Sequence, residues 1–139
     1  MPANTSPIFT LTPDIRWAVS ATTANTTKDL TSGTIYPMFT GGTNGSYIQR
    51  VRFRTLGTNL AATVGRIWIN NGGTTTTLTN NVLWDEITLP ATTVSEVAAQ
   101  STYELPLNFA LPPNYVLYLT LATAPNAAGW DATIIGGDY

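Results

Sequence analysis

The clearest pattern of apolar and polar positions runs through residues 102–123, TYELPLNFALPPNYVLYLTLAT. Its first half has the two-residue period of a strand with one buried face, with apolar side chains at Tyr103, Leu105, Leu107 and Phe109. Residues 115–121 are apolar on both faces, which is typical of a strand in the middle of a covered sheet. Between the halves, Pro112, Pro113 and Asn114 favour a turn. The stretch therefore predicts a hairpin at the centre of the core.

Shorter stretches of apolar and polar alternation predict further strands at residues 8–12, 15–19, 34–40, 47–56, 64–70, 83–89 and 130–135. Because Pro37 has no N–H for a sheet ladder, its strand is expected at a sheet edge or at a bulge. Asn-Gly pairs in residues 41–46 and 70–73 suit tight turns, and residues 74–79 are expected to pair back as a strand. Residues 94–100 have weak helical character but are too short for an independent helix.

Many short strands separated by turn signals are typical of an all-β protein. We therefore predict one jelly-roll-like β-sandwich domain in residues 14–139, with eight to nine short antiparallel strands. Residues 1–13 begin with a polar stretch broken by Pro2 and Pro7, which predicts an N-terminal arm. Residues 20–32 follow neither period and predict a polar loop. The sequence has no signal-peptide pattern and no run of 18 apolar residues, so we expect synthesis in a cytosol and no membrane partner.

The composition excludes several kinds of chemistry. The 139 residues include no Cys and no His, which removes disulfides, Cys-His and Ser-His-Asp catalysis and the usual zinc sites. A net charge of -2 argues against a nucleic-acid partner. Charged residues make up 10% of the chain, against about 25% in an average soluble domain. Either the surface is simply the Thr-rich surface of an all-β fold, or neighbours in an assembly cover much of it.

The most localised charged feature is the row Arg50, Arg52 and Arg54. On a strand, this spacing places three guanidinium groups on one face. The row either contacts an acidic partner or a neighbouring subunit, or is a solvated face neutralised by carboxylates such as Glu86 or Glu104. We state partner binding by this row as a hypothesis. The competing interpretation is the solvated face neutralised by carboxylates.

The carboxylates do not form a recognisable catalytic or metal-binding pattern. Asp85 and Glu86 are adjacent and are expected on opposite faces of a strand, so they cannot act together as acid and base. Asp131 and Asp138 lack the spacing of a calcium loop. The sequence predicts no catalytic residue, no metal site and no cofactor.

Four tryptophans lie in or beside predicted strands, at positions 17, 68, 84 and 130. Aromatic side chains on a sandwich face can stack on sugar rings, so a carbohydrate-binding module is one interpretation. The favoured interpretation is packing in the core or between the sheets, with satisfied N–H groups.

Three segments resemble the β-sandwich cement (decoration) proteins of tailed-phage heads: YIQRVRFRTLGTNLAATVGRIWINNGG, LPLNFALPPNYVLYLTLA and the closing AGWDATIIGGDY. The resemblance covers residues 47–139 and lies in style and spacing, without an invariant motif. It implies a non-enzymatic virion protein that binds the major capsid protein on the outer shell at subunit junctions, as a homo-oligomer and often as a trimer.

On this hypothesis the arm and the polar loop lie against the capsid or a sister subunit, with Ile8, Phe9 and Lys28 as contacts beside Arg50, Arg52 and Arg54. The alternatives are a structural or adhesion component of a phage tail or fibre, and the carbohydrate-binding module.

Overall fold

Alternation of apolar and polar side chains produces the strands of the fold. A computed structural model describes residues 10–57, 60–126 and 128–139, with the backbone alone at 18–20. The strands are β1 (Thr12–Ala21), β2 (Tyr36–Thr40), β3 (Ser46–Thr55), β4 (Thr63–Asn70), β5 (Asn81–Leu89), β6 (Tyr103–Leu111), β7 (Val116–Leu121) and β8 (Trp130–Asp138). Ile8 and Phe9 lie outside the described residues, whereas Thr12 and Pro13, assigned to the arm from the sequence, belong to β1.

The strands form two four-stranded antiparallel sheets. The first sheet has the order β1-β8-β3-β6 and the second has the order β2-β7-β4-β5. The pairs β1/β8, β2/β7, β3/β6 and β4/β5 are those of one long antiparallel ribbon, and successive pairs alternate between the sheets. This wrapping is a jelly roll. The predicted jelly-roll-like sandwich is confirmed, with eight strands in the part of the chain that is described.

The predicted central hairpin is wrong in its pairing. Both strands exist, but β6 belongs to the first sheet and β7 to the second, so residues 112–115 cross between sheets. The turn itself forms as expected: the Tyr115 N–H donates to the Pro112 carbonyl at 3.2 Å, and Asn114 has φ 64°. It packs on the β2–β3 connection, where the Gly41 N–H donates to the Tyr115 carbonyl at 2.8 Å. That connection also joins the two sheets instead of closing a hairpin.

Each edge strand carries a proline, which lacks an N–H, or a register shift, and either interrupts the row of hydrogen-bonding groups along the strand. Pro13, Pro37 and Pro106 lie in the edge strands β1, β2 and β6, and no interior strand contains a proline. In the fourth edge strand, β5, Trp84 has no partner where the register with β4 shifts. The predicted edge position of Pro37 is confirmed, together with a register shift between Pro37 and Phe39. Such interruptions weaken edge-to-edge pairing between copies.

The core lies between the sheets and is dominated by β7 and β8. Leu117, Leu119 and Leu121 have no exposed surface, as expected for a strand in the middle of a sheet. Trp130 is also fully buried and packs edge-to-face on Tyr103, with ring centroids 5.7 Å apart. These side chains belong to one contiguous hydrophobic cluster, which contains residues of both sheets and holds the sheets together.

One further expectation needs correction. Residues 74–79 do not pair back as a strand, because they form turns that lead into a short 3-10 segment, Leu78–Asn80. Asn side chains stabilise this loop: Asn80 and Asn81 donate to the carbonyls of Thr74 and Thr75 at 3.0 and 2.7 Å. Residues 94–100 form no helix, as expected from their short length. Among the described residues, no helix has the length and apolar character required to cross a membrane.

Candidate partner-binding face

The three arginines of β3 lie on the outer surface of the first sheet. Val51, Phe53 and Thr55 face the core and are buried, so Arg52 and Arg54 point away from it. The register places Arg52 opposite Glu104 of β6 and Thr133 of β8. We call this outer surface the arginine face. The predicted sharing of one face by Arg50, Arg52 and Arg54 is confirmed, while their role in partner binding stays a prediction.

One carboxylate serves two of these arginines. Glu104 Oε1 lies 3.8 Å from Arg50 Nε and 3.9 Å from Arg52 Nε. Both pairs are exposed to solvent, so each contributes about 0–1 kcal/mol. Arg54 donates from Nη1 to Thr102 Oγ1 at 2.7 Å. Glu86, the other carboxylate considered for the row, instead accepts a hydrogen bond from Arg66 Nε at 2.6 Å on the second sheet.

A double irregularity interrupts the sheet beside Arg50. Between Ile48 and Arg50, the register of β3 shifts against both β6 and β8. A bulge re-aims side chains, and here Gln49 and Arg50 are both solvent-accessible between the buried Ile48 and Val51. Opposite them, Asn108 of β6 has φ 50°, an uncommon value for a residue other than glycine.

The irregularity borders a shallow pocket of about 230 Å³. We call it the bulge pocket; it is lined by Gln49, Arg50, Glu104, Pro106 and Asn108. Asn108 Oδ1 accepts a hydrogen bond from the Tyr47 hydroxyl at 3.2 Å, which leaves its Nδ2 as a donor. The Arg50 Nε is shielded from water and has no hydrogen-bond partner in the described residues. Sequence patterns gave no signal for this pocket, because a bulge depends on the register of three strands.

The β1 side of the arginine face is apolar. Ile15 and Trp17 are 57% and 63% exposed, and Leu11 just before β1 is also exposed. Ile135 of β8 lies between Ile15 and Arg50, and Thr133 lies between Trp17 and Arg52. The same cross-strand rows therefore contain exposed apolar side chains and arginines.

Arg16 lies on the opposite side of β1, towards the sandwich edge. Its Nε donates to Asp14 Oδ2 at 2.7 Å, and its guanidinium lies 4.7 Å from the centroid of the buried Phe39 ring. A groove of about 380 Å³ runs here between β1 and β2. The alternation in β1 correctly places Arg16 and Trp17 on opposite faces, but the charged residue is the one that packs against the edge of the core.

The tryptophans divide equally between core and surface. Trp68 and Trp130 are buried, and Trp68 Nε1 donates to Thr120 Oγ1 at 2.9 Å. Trp130 Nε1 has no partner in the described residues, contrary to the expectation of a satisfied N–H. Trp84 is exposed beside Val82 and Leu83 on β5 and packs on Phe109 at a centroid distance of 4.9 Å. Core packing therefore accounts for Trp68 and Trp130 but not for Trp17.

Lys28 is not part of the arginine face. It is exposed, with φ 59°, in the β1–β2 connection, which is attached to the second sheet through the bridge between Ala24 and Leu121.

The buried Asn25 organises this loop by donating to the carbonyls of Ser32 and Thr34. Nearby, the Thr31 hydroxyl and N–H donate to Asp29 Oδ1 at 2.7 and 2.8 Å and hold the pKa of Asp29 below its usual range.

No protein-family model, curated protein or solved structure matches the chain. The function proposed below therefore rests on the protein's own residues and on the resemblance of residues 47–139 to phage cement proteins.

Proposed function

We propose that the protein is a non-enzymatic structural protein of a phage virion. It binds the outer surface of the capsid at junctions between subunits of the major capsid protein and stabilises the shell. The observation that carries this proposal is the arginine face, where exposed Trp17 and Ile15 share rows with Arg52 and Arg50. Trp and Arg are enriched among the residues that dominate binding energy in protein interfaces. The resemblance to cement proteins supplies the identity of the partner.

The rest of the chain adds contacts in this proposal. Ile8 and Phe9 of the arm and Lys28 of the β1–β2 connection touch the capsid or a sister subunit. The protein acts as a homo-oligomer, with a trimer favoured, and reaches the virion by assembly in the host cytoplasm. Exposed apolar side chains on the two edge strands β1 and β5 support self-association, because association removes such surfaces from water.

A sedimentation assay with expanded capsids that lack the protein tests this function. The unaltered protein is expected to bind in stoichiometric amounts and to raise the temperature at which the shell disrupts. Trp17→Ser is expected to weaken binding about 30-fold, the effect of losing an interface residue worth about 2 kcal/mol. Absence of the unaltered protein from both bound capsids and purified virions would rule out the proposal.

Val97→Ser is the matched control for Trp17→Ser. Val97 is 96% exposed and lies outside the arginine face, in the connection between β5 and β6. Its replacement is expected to leave capsid binding unchanged. Equal losses in the two variants would mean that the exposed face of β1 is not the contact.

Carbohydrate binding is the second candidate, and the exposure of Trp17 and Trp84 favours it. An exposed indole offers a flat apolar surface on which a sugar ring can stack. Retention on a polysaccharide column, lost in Trp17→Ala or Trp84→Ala, would identify this function. A tail or fibre component would instead be recovered with tails after heads and tails are separated.

A further inference from the structure

We propose that the bulge pocket binds the carboxylate of an Asp or Glu side chain on the partner protein, with Arg50 as the anchor. This inference rests on the proposed function, since it names one contact of the arginine face. It also identifies which of the three arginines makes a specific contact.

Arg50 differs from every other arginine in its hydrogen bonding. Arg16 and Arg66 donate to carboxylates at 2.7 and 2.6 Å, and Arg52 and Arg54 donate to Thr102 at 3.4 and 2.7 Å. The Arg50 guanidinium makes no hydrogen bond within the described residues. Within the described part of the chain its one ion pair, with Glu104 at 3.8 Å, is too long for a hydrogen bond. The side chain is 41% exposed as a whole, while its Nε is shielded from water.

The pocket around Arg50 holds several donors beside one carboxylate, Glu104, which is shared between Arg50 and Arg52. Asn108 contributes Nδ2, because its Oδ1 is occupied by the Tyr47 hydroxyl, and Gln49 contributes a further amide. A carboxylate has two acceptor oxygens and suits the planar fork of an arginine. A small rotation of the Arg50 side chain would bring its shielded Nε to such a ligand. Binding would then give the unpaired Nε–H of Arg50 an acceptor. A buried N–H without an acceptor costs free energy, so this hydrogen bond would favour binding.

The backbone around the pocket is unusual on both strands. The register of β3 shifts at Gln49, and Asn108, which the β3–β6 register skips at the same irregularity, adopts φ 50°. Bulges and uncommon backbone conformations recur where a fold aims side chains at a ligand. Among the described residues no aromatic side chain lines the pocket, so these residues offer no platform on which a sugar ring would stack. These features favour a protein carboxylate over an acidic saccharide.

A titration monitored by NMR tests the pocket without any capsid. The Nε–H signals of the arginines in the full chain are followed with acetyl-Gly-Glu-Gly-amide and, separately, with the Gln analogue at constant ionic strength. The Arg50 signal, assigned by its loss in Arg50→Lys, is expected to shift saturably with the Glu peptide only. The Arg66 signal should not move, because Arg66 is already bonded to Glu86. An unmoved Arg50 signal, or equal shifts of all arginines, would overturn the proposal.

Capsid binding by two charge-conserving variants separates this inference from the proposed function. Arg50→Lys is expected to weaken binding about tenfold or more, because lysine keeps the charge but lacks the fork. Arg52→Lys is the matched control, on the same strand, on the same face and beside the same carboxylate, and should stay within about twofold. Equal losses would leave the capsid function standing and refute the pocket. A protein that binds no capsid but retains the peptide response would refute the function alone.

Discussion

Leu119 lies in the middle of the second sheet and has no exposed surface, so its side chain tests the core directly. Leu119→Asn is expected to destabilise the fold by about 3–5 kcal/mol, since it removes packing and buries an amide without partners. That loss is comparable with the total stability of many domains, about 5–15 kcal/mol. Chemical denaturation measures the effect. Val97→Asn in the connection between β5 and β6, where Val97 is 96% exposed, should change stability by no more than about 0.5 kcal/mol, and equal effects would contradict this description of the core.

Asp29 gives a prediction about pH. Hydrogen bonds from Thr31 stabilise its ionised form and lower its pKa in the folded protein. The resulting stabilisation is fully present above the carboxyl pKa of the unfolded chain and is lost as pH falls through the folded pKa. Asp29→Asn should therefore melt at a lower temperature than the unaltered protein at neutral pH. The difference should shrink in strong acid, and a difference independent of pH would show that the carboxylate charge plays no part.

The sequence correctly predicts on which face of a strand a side chain lies where the two-residue period alone decides it. The outward row of Arg52 and Arg54 follows directly from their alternation with Phe53 and Thr55. In β1 the same rule separates Arg16 from Trp17 but cannot say which of them faces water. Arg16 packs on the Phe39 ring because the sandwich edge leaves space for its alkyl chain, and Trp17 becomes the exposed residue. Tertiary packing, which a single strand does not encode, makes that choice.

At the scale of elements, the turn between β6 and β7 shows how far local patterns reach. Pro112, Pro113 and Asn114 correctly predict a turn, and the flanking alternation correctly predicts two strands. The pairing fails because the same turn chemistry serves a hairpin within one sheet or a crossing between two sheets. Which of these forms depends on the partners β3 and β4, whose contacts are distant in sequence.

The positive φ of Asn114 allows a direct test of this crossing turn. Its φ is 64°, and its side chain makes no hydrogen bond within the described residues. Asn114→Gly should keep or raise stability, because glycine adopts this conformation without strain. Asn114→Ala should lose about 1 kcal/mol, since an L side chain with Cβ is disfavoured there. Thermal unfolding of the two variants measures the difference. An alanine variant as stable as the glycine variant would mean that the turn is not held in this conformation.

At the scale of the whole molecule, the jelly roll separates a scaffold from a surface. Core residues of both sheets pack in one cluster, whereas Trp17, Ile15 and the three arginines of β3 project from one outer face. The composition predicted a surface poor in charge but not where its few cations would meet apolar side chains. That meeting depends on β8, which lies between β1 and β3 although it is the last strand in the chain.

The two halves of the arginine face should respond differently to salt. Screening shortens the range of charge interactions from about 10 Å at 0.1 M to about 3 Å at 1 M ionic strength, while apolar contacts are not weakened in this way. In the proposed capsid contact, Arg52→Gln should therefore lower affinity at low salt and reduce the dependence of affinity on salt. Trp17→Ser should lower affinity at every ionic strength and leave that dependence unchanged. Sedimentation binding over a salt series, with thermal melts to confirm that both variants are folded, gives the two slopes. If affinity depended on salt equally in Arg52→Gln and in the unaltered protein, Arg52 would make no electrostatic contribution to the contact.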